Sequence, residues 1–294
     1  MSRFYGIIVK SIAGFYYVKT GSDVFECKAR GIFRNKNIKP LVGDSVALSF
    51  DEKNGTYIIE NIKERKNELL RPPIANIDQL LIVSSVSDPD PNFLVIDKML
   101  ALCCDKNIEP ILIISKVDLK DPEFILDVYK KLNIKIVLFS KYKKDTVEKI
   151  RGYLKGKTSA LTGNTGVGKS TLLNLIDEDL CLQTGQTSKK LGRGKHTTRH
   201  VELFSLPFGG FVADTPGFSS LEIAKYNLIE HENLKYCFEE FTPFASKCKF
   251  NSCNHLKESD CAVKKALEKG LISKSRYESY VLMEKEFKNQ KKTY

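Results

Sequence analysis

The run Gly163-Asn164-Thr165-Gly166-Val167-Gly168-Lys169-Ser170 fits the pattern G-x-x-x-x-G-K-[ST]. Its glycines allow backbone N–H groups to wrap phosphate oxygens at a helix N-terminus. Lys169 is placed to reach β and γ phosphates, Ser170 to hold Mg2+, and Thr171 follows them into the helix. A P-loop needs a strand before it and a helix after it. The apolar stretches around Ser159–Leu161 and Thr171–Ile176 supply both. A second cluster, Cys248-x4-Cys253-x-His255-x5-Cys261, sets three thiols and an imidazole within 14 residues. That spacing suits a tetrahedral structural Zn2+, which leaves no open coordination position for catalysis. Cys237 lies near the cluster but outside it. Cys27, Cys103, Cys104 and Cys181 read as core or surface thiols, and the Cys103-Cys104 pair, on an apolar helix, as packing.

Four further segments point to the same nucleotide. Ser115-Lys116-Val117-Asp118 follows an apolar strand and resembles the N-K-x-D signature of GTPases. There the Asp accepts hydrogen bonds from guanine N1 and N2, and the Lys stem lies over the ring. Adenine has no matching donors, so a carboxylate facing it loses its partners, and that loss gives specificity. Ser115 replaces the usual Asn, and its hydroxyl can make part of the bracing contact. Ser140 resembles the next guanine-loop element, although Lys141 stands where small residues are usual. Asp214-Thr215-Pro216-Gly217 fits D-x-x-G, with Asp214 ordering Mg2+ through water and the Gly217 N–H meeting the γ phosphate. Between the P-loop and this motif lies a basic stretch, Gln183–His200, where a switch loop is expected. Thr197 or Thr198 is the candidate to close on Mg2+ there.

Positioning these motifs requires three kinds of region. Residues 1–70 cluster β-branched and aromatic residues in five short runs punctuated by glycine, which predicts a small closed barrel of OB type. Phe4, Phe15, Tyr16, Tyr17 and Phe25 either stack on RNA bases or fill its core. Arg71-Pro72-Pro73 reads as a linker. Residues 71–225 then alternate strand and helix, which calls for a parallel sheet covered on both faces, an α/β P-loop domain. Residues 226–294 turn helical and Cys-rich and form a zinc-binding helical domain. A final helix is expected over Arg276 to Lys292, its basic residues forming either an RNA-binding or a solvated face. The motif order is unusual. An ordinary GTPase runs P-loop, switch Thr, D-x-x-G, then N-K-x-D, whereas here the base motif comes first. The domain is circularly permuted, and the chain passes from D-x-x-G directly into the Cys-rich region.

The 294 residues carry 47 Lys and Arg against 36 Asp and Glu, a formal +11 spread over every region. That excess suits a protein pressed against a polyanion. A 42% apolar fraction rules out global disorder. The apolar runs are of strand length, far short of the ~20 residues that span a bilayer. The start, MSRFYGIIVK, has no apolar run long enough for a signal peptide. The expectation is a cytoplasmic protein with reduced thiols and no membrane contact.

Taken with their order, the phrases Arg71-Pro72-Pro73-Ile74-Ala75-Asn76, Gly194-Lys195-His196-Thr197-Thr198 and Asp214-Thr215-Pro216-Gly217-Phe218 make the chain similar, nearly end to end, to the RsgA (YjeQ) family. The resemblance implies an OB barrel, a permuted GTPase core and a C-terminal zinc domain. It also implies a late-stage assembly factor that binds the decoding region of the small ribosomal subunit, contacts its rRNA, and hydrolyses GTP to GDP there. A monomer is expected. Hydrolysis needs a water held in line. Ras-like enzymes use a Gln just after D-x-x-G, but Phe218 cannot hold water. His196 is the best replacement, and the family's pattern also puts a His there. Arg193, Lys195 and Arg199 are candidates for rRNA phosphate contacts. Two other readings remain at this point. One is a GTP-dependent RNA-binding module with hydrolysis only as a release timer. The other is a P-loop small-molecule kinase, which Asp118 argues against.

Overall fold

The computed structural model describes residues 4–35, 38–180, 201–214, 223–226 and 228–290. The chain divides into two compact units. One gathers Met1–Gln79, Val147–Thr162 and Ser170–Phe218; the other gathers Leu80–Thr146, Gly163–Lys169 and Ser219–Tyr294.

In the first unit, β1 (Phe4–Ile12), β2 (Phe15–Thr20), β3 (Asp23–Ala29), β4 (Ser45–Asp51) and β5 (Thr56–Ile62) close into a barrel in the order β1-β2-β3-β5-β4, with the short α1 (Ile32–Asn35) between β3 and β4. The expected barrel is therefore present. Inward positions Ile8, Val18, Cys27, Val46, Leu48 and Ile59 are fully buried, as the alternation of strand side chains requires. Tyr16 joins them, while Phe4 stays exposed at the edge of Tyr57. The proline-rich linker takes a different form. β6 (Glu68–Leu70) and β7 (Pro73–Ala75) pair antiparallel across a turn at Arg71-Pro72. Proline is tolerated because Pro73 opens its strand. Arg65, just before this ribbon, donates to both carboxylate oxygens of the buried Asp44 at 2.7 and 2.8 Å, which ties the ribbon to the barrel.

Next come β8 (Gln79–Ser85), α2 (Phe93–Asp105), β9 (Glu109–Ser115), α3 (Glu123–Tyr129), β10 (Lys135–Phe139), α4 (Lys144–Leu154), β11 (Thr158–Thr162), α5 (Lys169–Ile176), β12 (Leu203–Ser205) and β13 (Phe211–Asp214). They supply six sheet strands in two sets of three. One unit carries β10, β9 and β8 side by side, and the other carries β11, β13 and β12. β10 runs parallel to β9, and β11 parallel to β13. β12 is an antiparallel edge strand, so that set is mixed and not wholly parallel. Every residue of β8 is buried, which is why it reads as a continuous apolar run rather than an alternation. Asn92 caps α2, its side chain accepting the Val95 N–H at 3.2 Å.

The last region is helical as expected. Two 3-10 turns, His231–Cys237 and Glu239–Phe241, precede α6 (Thr242–Ala245), α7 (Ala262–Glu268) and α8 (Lys274–Gln290). Phe238, Phe241, Tyr280 and Met283 fill its core. Arg276 departs from the expectation of a solvated or RNA-facing basic helix. It is 2% exposed, donates to Asp97 on α2 at 2.8 Å and to Glu240 at 2.7 Å, and lies over the Phe238 ring. Tyr129 donates to the same Asp97 oxygen at 3.0 Å. Burial works against the Arg276 charge, but the two carboxylates outweigh it and raise its pKa. Charge count alone hid this residue, because a lone basic side chain in a helix looks the same whether it faces water or two acids.

Candidate functional site

The loop 163–169 bends sharply between β11 and α5. Gly163 has φ +146°, and a Cβ on it would stand 2.2 Å from the Val83 carbonyl oxygen. Only glycine lets the loop pass this close to β8. Gly166 and Gly168 also have positive φ, +85° and +95°. The Lys169 Nζ turns back over the loop and donates to the carbonyls of Gly163 at 2.7 Å and Asn164 at 2.9 Å. Its ammonium is thus held by the carbonyls of the loop it follows. Thr165 and Gly166 are exposed, and the Val167 side chain is buried as an anchor. Ser170 and Thr171 are half-buried in the first turn of α5.

The loop after β9 meets this one. Ser115 is 1% exposed, and its hydroxyl donates to the Val167 carbonyl at 2.7 Å, with the Ser84 carbonyl 3.3 Å away. The hydroxyl thus fastens the end of β9 to the loop 163–169. Lys116 takes a left-handed conformation, φ +60°, and its Nζ donates to the Asp88 carbonyl. Val117 donates its N–H to Phe139, the last residue of β10, at 3.4 Å. Buried Ser140 follows, its hydroxyl accepting the Tyr142 N–H at 3.3 Å. Lys141 is exposed, its Nζ 5.0 Å from the Tyr142 ring centroid, so its bulk is directed away from the strand. Asp118 is exposed. Together these contacts bring Ser115–Asp118, Ser140 and residues 163–169 into one region of one compact unit.

The loop Ser87–Pro91 escaped the sequence reading. Ser85 donates to the Pro89 carbonyl at 2.6 Å, and the Pro89 ring lies 3.5 Å from where a Cβ on Gly166 would be. Ser-Asp-Pro-Asp-Pro is a turn signal, but nothing in it says which loop it will cover. Asp214 ends β13 opposite Leu161 of β11, which puts the start of D-x-x-G beside the strand feeding the phosphate loop. Its side chain, Thr215–Gly217, Phe218, and His196, Thr197 and Thr198 with their basic neighbours lie outside the described residues. Just past that switch segment, Glu202 pairs with Lys10 of the barrel at 2.9 Å.

The metal cluster is compact. The ligand atoms of Cys248, Cys253, His255 and Cys261 all lie within 4.8 Å of one another. Cys248 and Cys261 sulfurs are 3.8 Å apart, and His255 Nδ1 stands 3.6 and 3.4 Å from them. A tetrahedron with Zn–S of about 2.3 Å and Zn–N of about 2.0 Å has S···S edges near ~3.8 Å and S···N edges near ~3.5 Å. The donor set and its spacing fit one zinc. Burial holds the His255 imidazole below its usual pKa, against the pull of Glu258, which favours the neutral form that can ligate a metal. Burial also pushes the Cys253 thiol up to about 12, a penalty that a bound cation reverses. The surrounding groups fix the ligand loop. Tyr277 and Tyr280 donate to the carbonyls of His255 and Asn254, each at 2.7 Å, and Glu258 accepts the N–H groups of Asn254 and Leu256.

Comparison with known proteins agrees with this geometry. The RsgA GTPase family model matches residues 62–224, and the RsgA N-terminal domain model matches residues 5–58. The chain belongs to the RsgA family. A small ribosomal subunit biogenesis GTPase RsgA from Caldanaerobacter subterraneus subsp. tengcongensis is 46% identical over 302 residues, covering 99% of this chain and 98% of the relative. Its counterpart from Alkaliphilus metalliredigens is 45% identical over 291 residues, covering 98% of this chain and 99% of the relative. Among solved structures, YjeQ from Thermotoga maritima superposes with a TM-score of 0.79 at 37% identity, covering 97% of this chain and 99% of its own. YloQ, described as a circularly permuted GTPase, gives 0.78 at 38%, covering 98% and 96%. Membership in the family makes this chain a GTP-hydrolysing enzyme, with the permuted motif order expected from its sequence.

Proposed function

We propose that this chain binds the small ribosomal subunit late in its assembly and hydrolyses GTP to GDP and phosphate, with the subunit as stimulus. The observation that carries the reading is the Ser115–Val167 contact, which fastens a guanine-type loop to a phosphate loop in a chain of the RsgA family. Ser115–Asp118 and Ser140 take the base. Gly163–Thr171 take the phosphates, with Thr197, Thr198, Asp214 and Gly217 closing around the γ phosphate. Ser170 and Thr198 hold Mg2+, and Cys248, Cys253, His255 and Cys261 hold one structural Zn2+. The functional division runs 1–70 for rRNA contact, 71–225 for the GTPase and 226–294 for the zinc domain, in a cytoplasmic monomer. Among the described residues no helix is long and apolar enough to cross a membrane.

His196 is proposed to orient the attacking water, since Phe218 cannot. Arg193, Lys195 and Arg199 give rRNA phosphates a means of ordering that loop. The test is GTP turnover with and without purified small subunits, in the parent, in His196→Ala, and in Lys169→Ala as the inactive baseline. Strong stimulation in the parent that is mostly lost in His196→Ala is the expected result. An unstimulated parent overturns the ribosome-dependent reading, and full stimulation of His196→Ala overturns the role of that residue alone.

A further inference from the structure

Two thiols outside the metal cluster meet at the end of α2. Cys104 is exposed, and its Sγ lies 3.8 Å from the carbonyl oxygen of Tyr236, the atom one peptide bond from Cys237. Cys237 closes the 3-10 turn His231–Cys237 and is buried. Both line one cavity of about 250 Å3, together with Leu100, Ile108 and Leu132. The neighbouring Cys103 lines the same cavity, but it is fully buried and burial raises its pKa, so it is the less reactive of the adjacent pair. Neither thiol is a ligand of the Cys248–Cys261 cluster.

We propose that Cys104 and Cys237 form a reversible dithiol that a small peroxide entering this cavity converts to a disulfide. The environments of the two thiols set their roles. Contact with the Cys237 thiol lowers the Cys104 pKa, against burial and the charges of Glu239 and Asp105, while Cys237 itself is raised. The thiolate is the nucleophile, so the exposed Cys104 reacts first and the buried Cys237 resolves. The Cys104 sulfur attacks one peroxide oxygen, the O–O bond breaks, and hydroxide leaves to give a sulfenic acid. The Cys237 sulfur then attacks the Cys104 sulfur, its proton joins the departing hydroxyl, and water leaves as the S–S bond forms. Two thiols and one hydrogen peroxide give one disulfide and two waters, the thiols supplying both electrons. A dithiol reductant reverses the reaction by two exchange steps. The bond fastens the end of α2 to the segment leading into the zinc cluster, within a single compact unit.

The test uses the full-length zinc-loaded protein and substoichiometric to equimolar hydrogen peroxide. Free thiols are then blocked with N-ethylmaleimide, and the protein is digested and analysed by non-reducing mass spectrometry. The expected result is a peptide pair joined through Cys104 and Cys237, lighter by two hydrogens. Both free thiols should disappear in parallel, dithiothreitol should restore them, and a chromophoric chelator should detect no zinc release at the same dose. Cys104→Ser and Cys237→Ser should each abolish the cross-link. In Cys237→Ser the Cys104 sulfenic acid should persist and be captured by dimedone. If Cys104 and Cys237 remain alkylatable while the zinc cysteines oxidise, the proposal is wrong. It is equally overturned if Cys104 pairs with Cys103 or if the Cys237→Ser protein traps no sulfenic acid.

Discussion

Replacing Ser115 with Ala tests whether the joint between the two loops sets nucleotide affinity. The hydroxyl is buried and stands 2.7 Å from the Val167 carbonyl oxygen. Removing the donor from a buried acceptor costs ~1–3 kcal/mol, because the acceptor loses its partner without regaining water. A relaxed loop can shift to hydrate that carbonyl; a loop wrapped around phosphates is less free to do so. Most of the penalty therefore falls on the nucleotide-bound state. At about 1.4 kcal/mol per tenfold, affinity for guanine nucleotides should fall about five- to hundredfold. Titration with a fluorescent GDP analogue measures this, with the melting temperature recorded alongside. Ser115→Asn offers an amide N–H toward the same carbonyl and should bring affinity back to the parent level or above. Unchanged affinity and an unchanged melting temperature in Ser115→Ala would refute the claim that this contact braces the site.

Asp118→Asn swaps an acceptor for a donor at the base edge and should shift preference from guanine toward xanthine nucleotides; competition binding measures it, and equal ATP and GTP binding by the parent would defeat the base assignment. Purified protein should contain about one zinc per chain, because four ligands fill one tetrahedral site. Cys253→Ala should lower the zinc content and destabilise the C-terminal region while nucleotide binding persists, and elemental analysis finding no metal without chelators would contradict this. Arg276→Ala should lower stability by ~3–5 kcal/mol, since it strands the buried Asp97 beside Glu240. Urea unfolding measures that loss, and a loss below ~1 kcal/mol would mean that the pair is solvated in solution.

Sequence alone determined what depends on short-range pattern. The P-loop was legible because its glycines, lysine and serine are constrained by backbone geometry within eight consecutive residues. The Cys248–Cys253–His255–Cys261 cluster was legible because a tetrahedral ion needs four soft or borderline donors close together. The barrel strands and the buried β8 followed from periodicity and apolar runs. Motif order alone gave the permutation, which needs no coordinates. Tertiary structure decided what depends on which segments meet. Arg71-Pro72 reads locally as a break, yet pairing across it makes a ribbon, because β6 and β7 find each other rather than solvent. Pro89 covers Gly166, and Ser115 reaches Val167, across separations that no local pattern encodes. Cys104 and Cys237 lie far apart in sequence and share one cavity. Arg276 sits in a helix of low average hydropathy, and only the approach of Asp97 and Glu240 turns its charge inward. A buried ion pair is a property of two distant segments, and a sequence window contains only one of them.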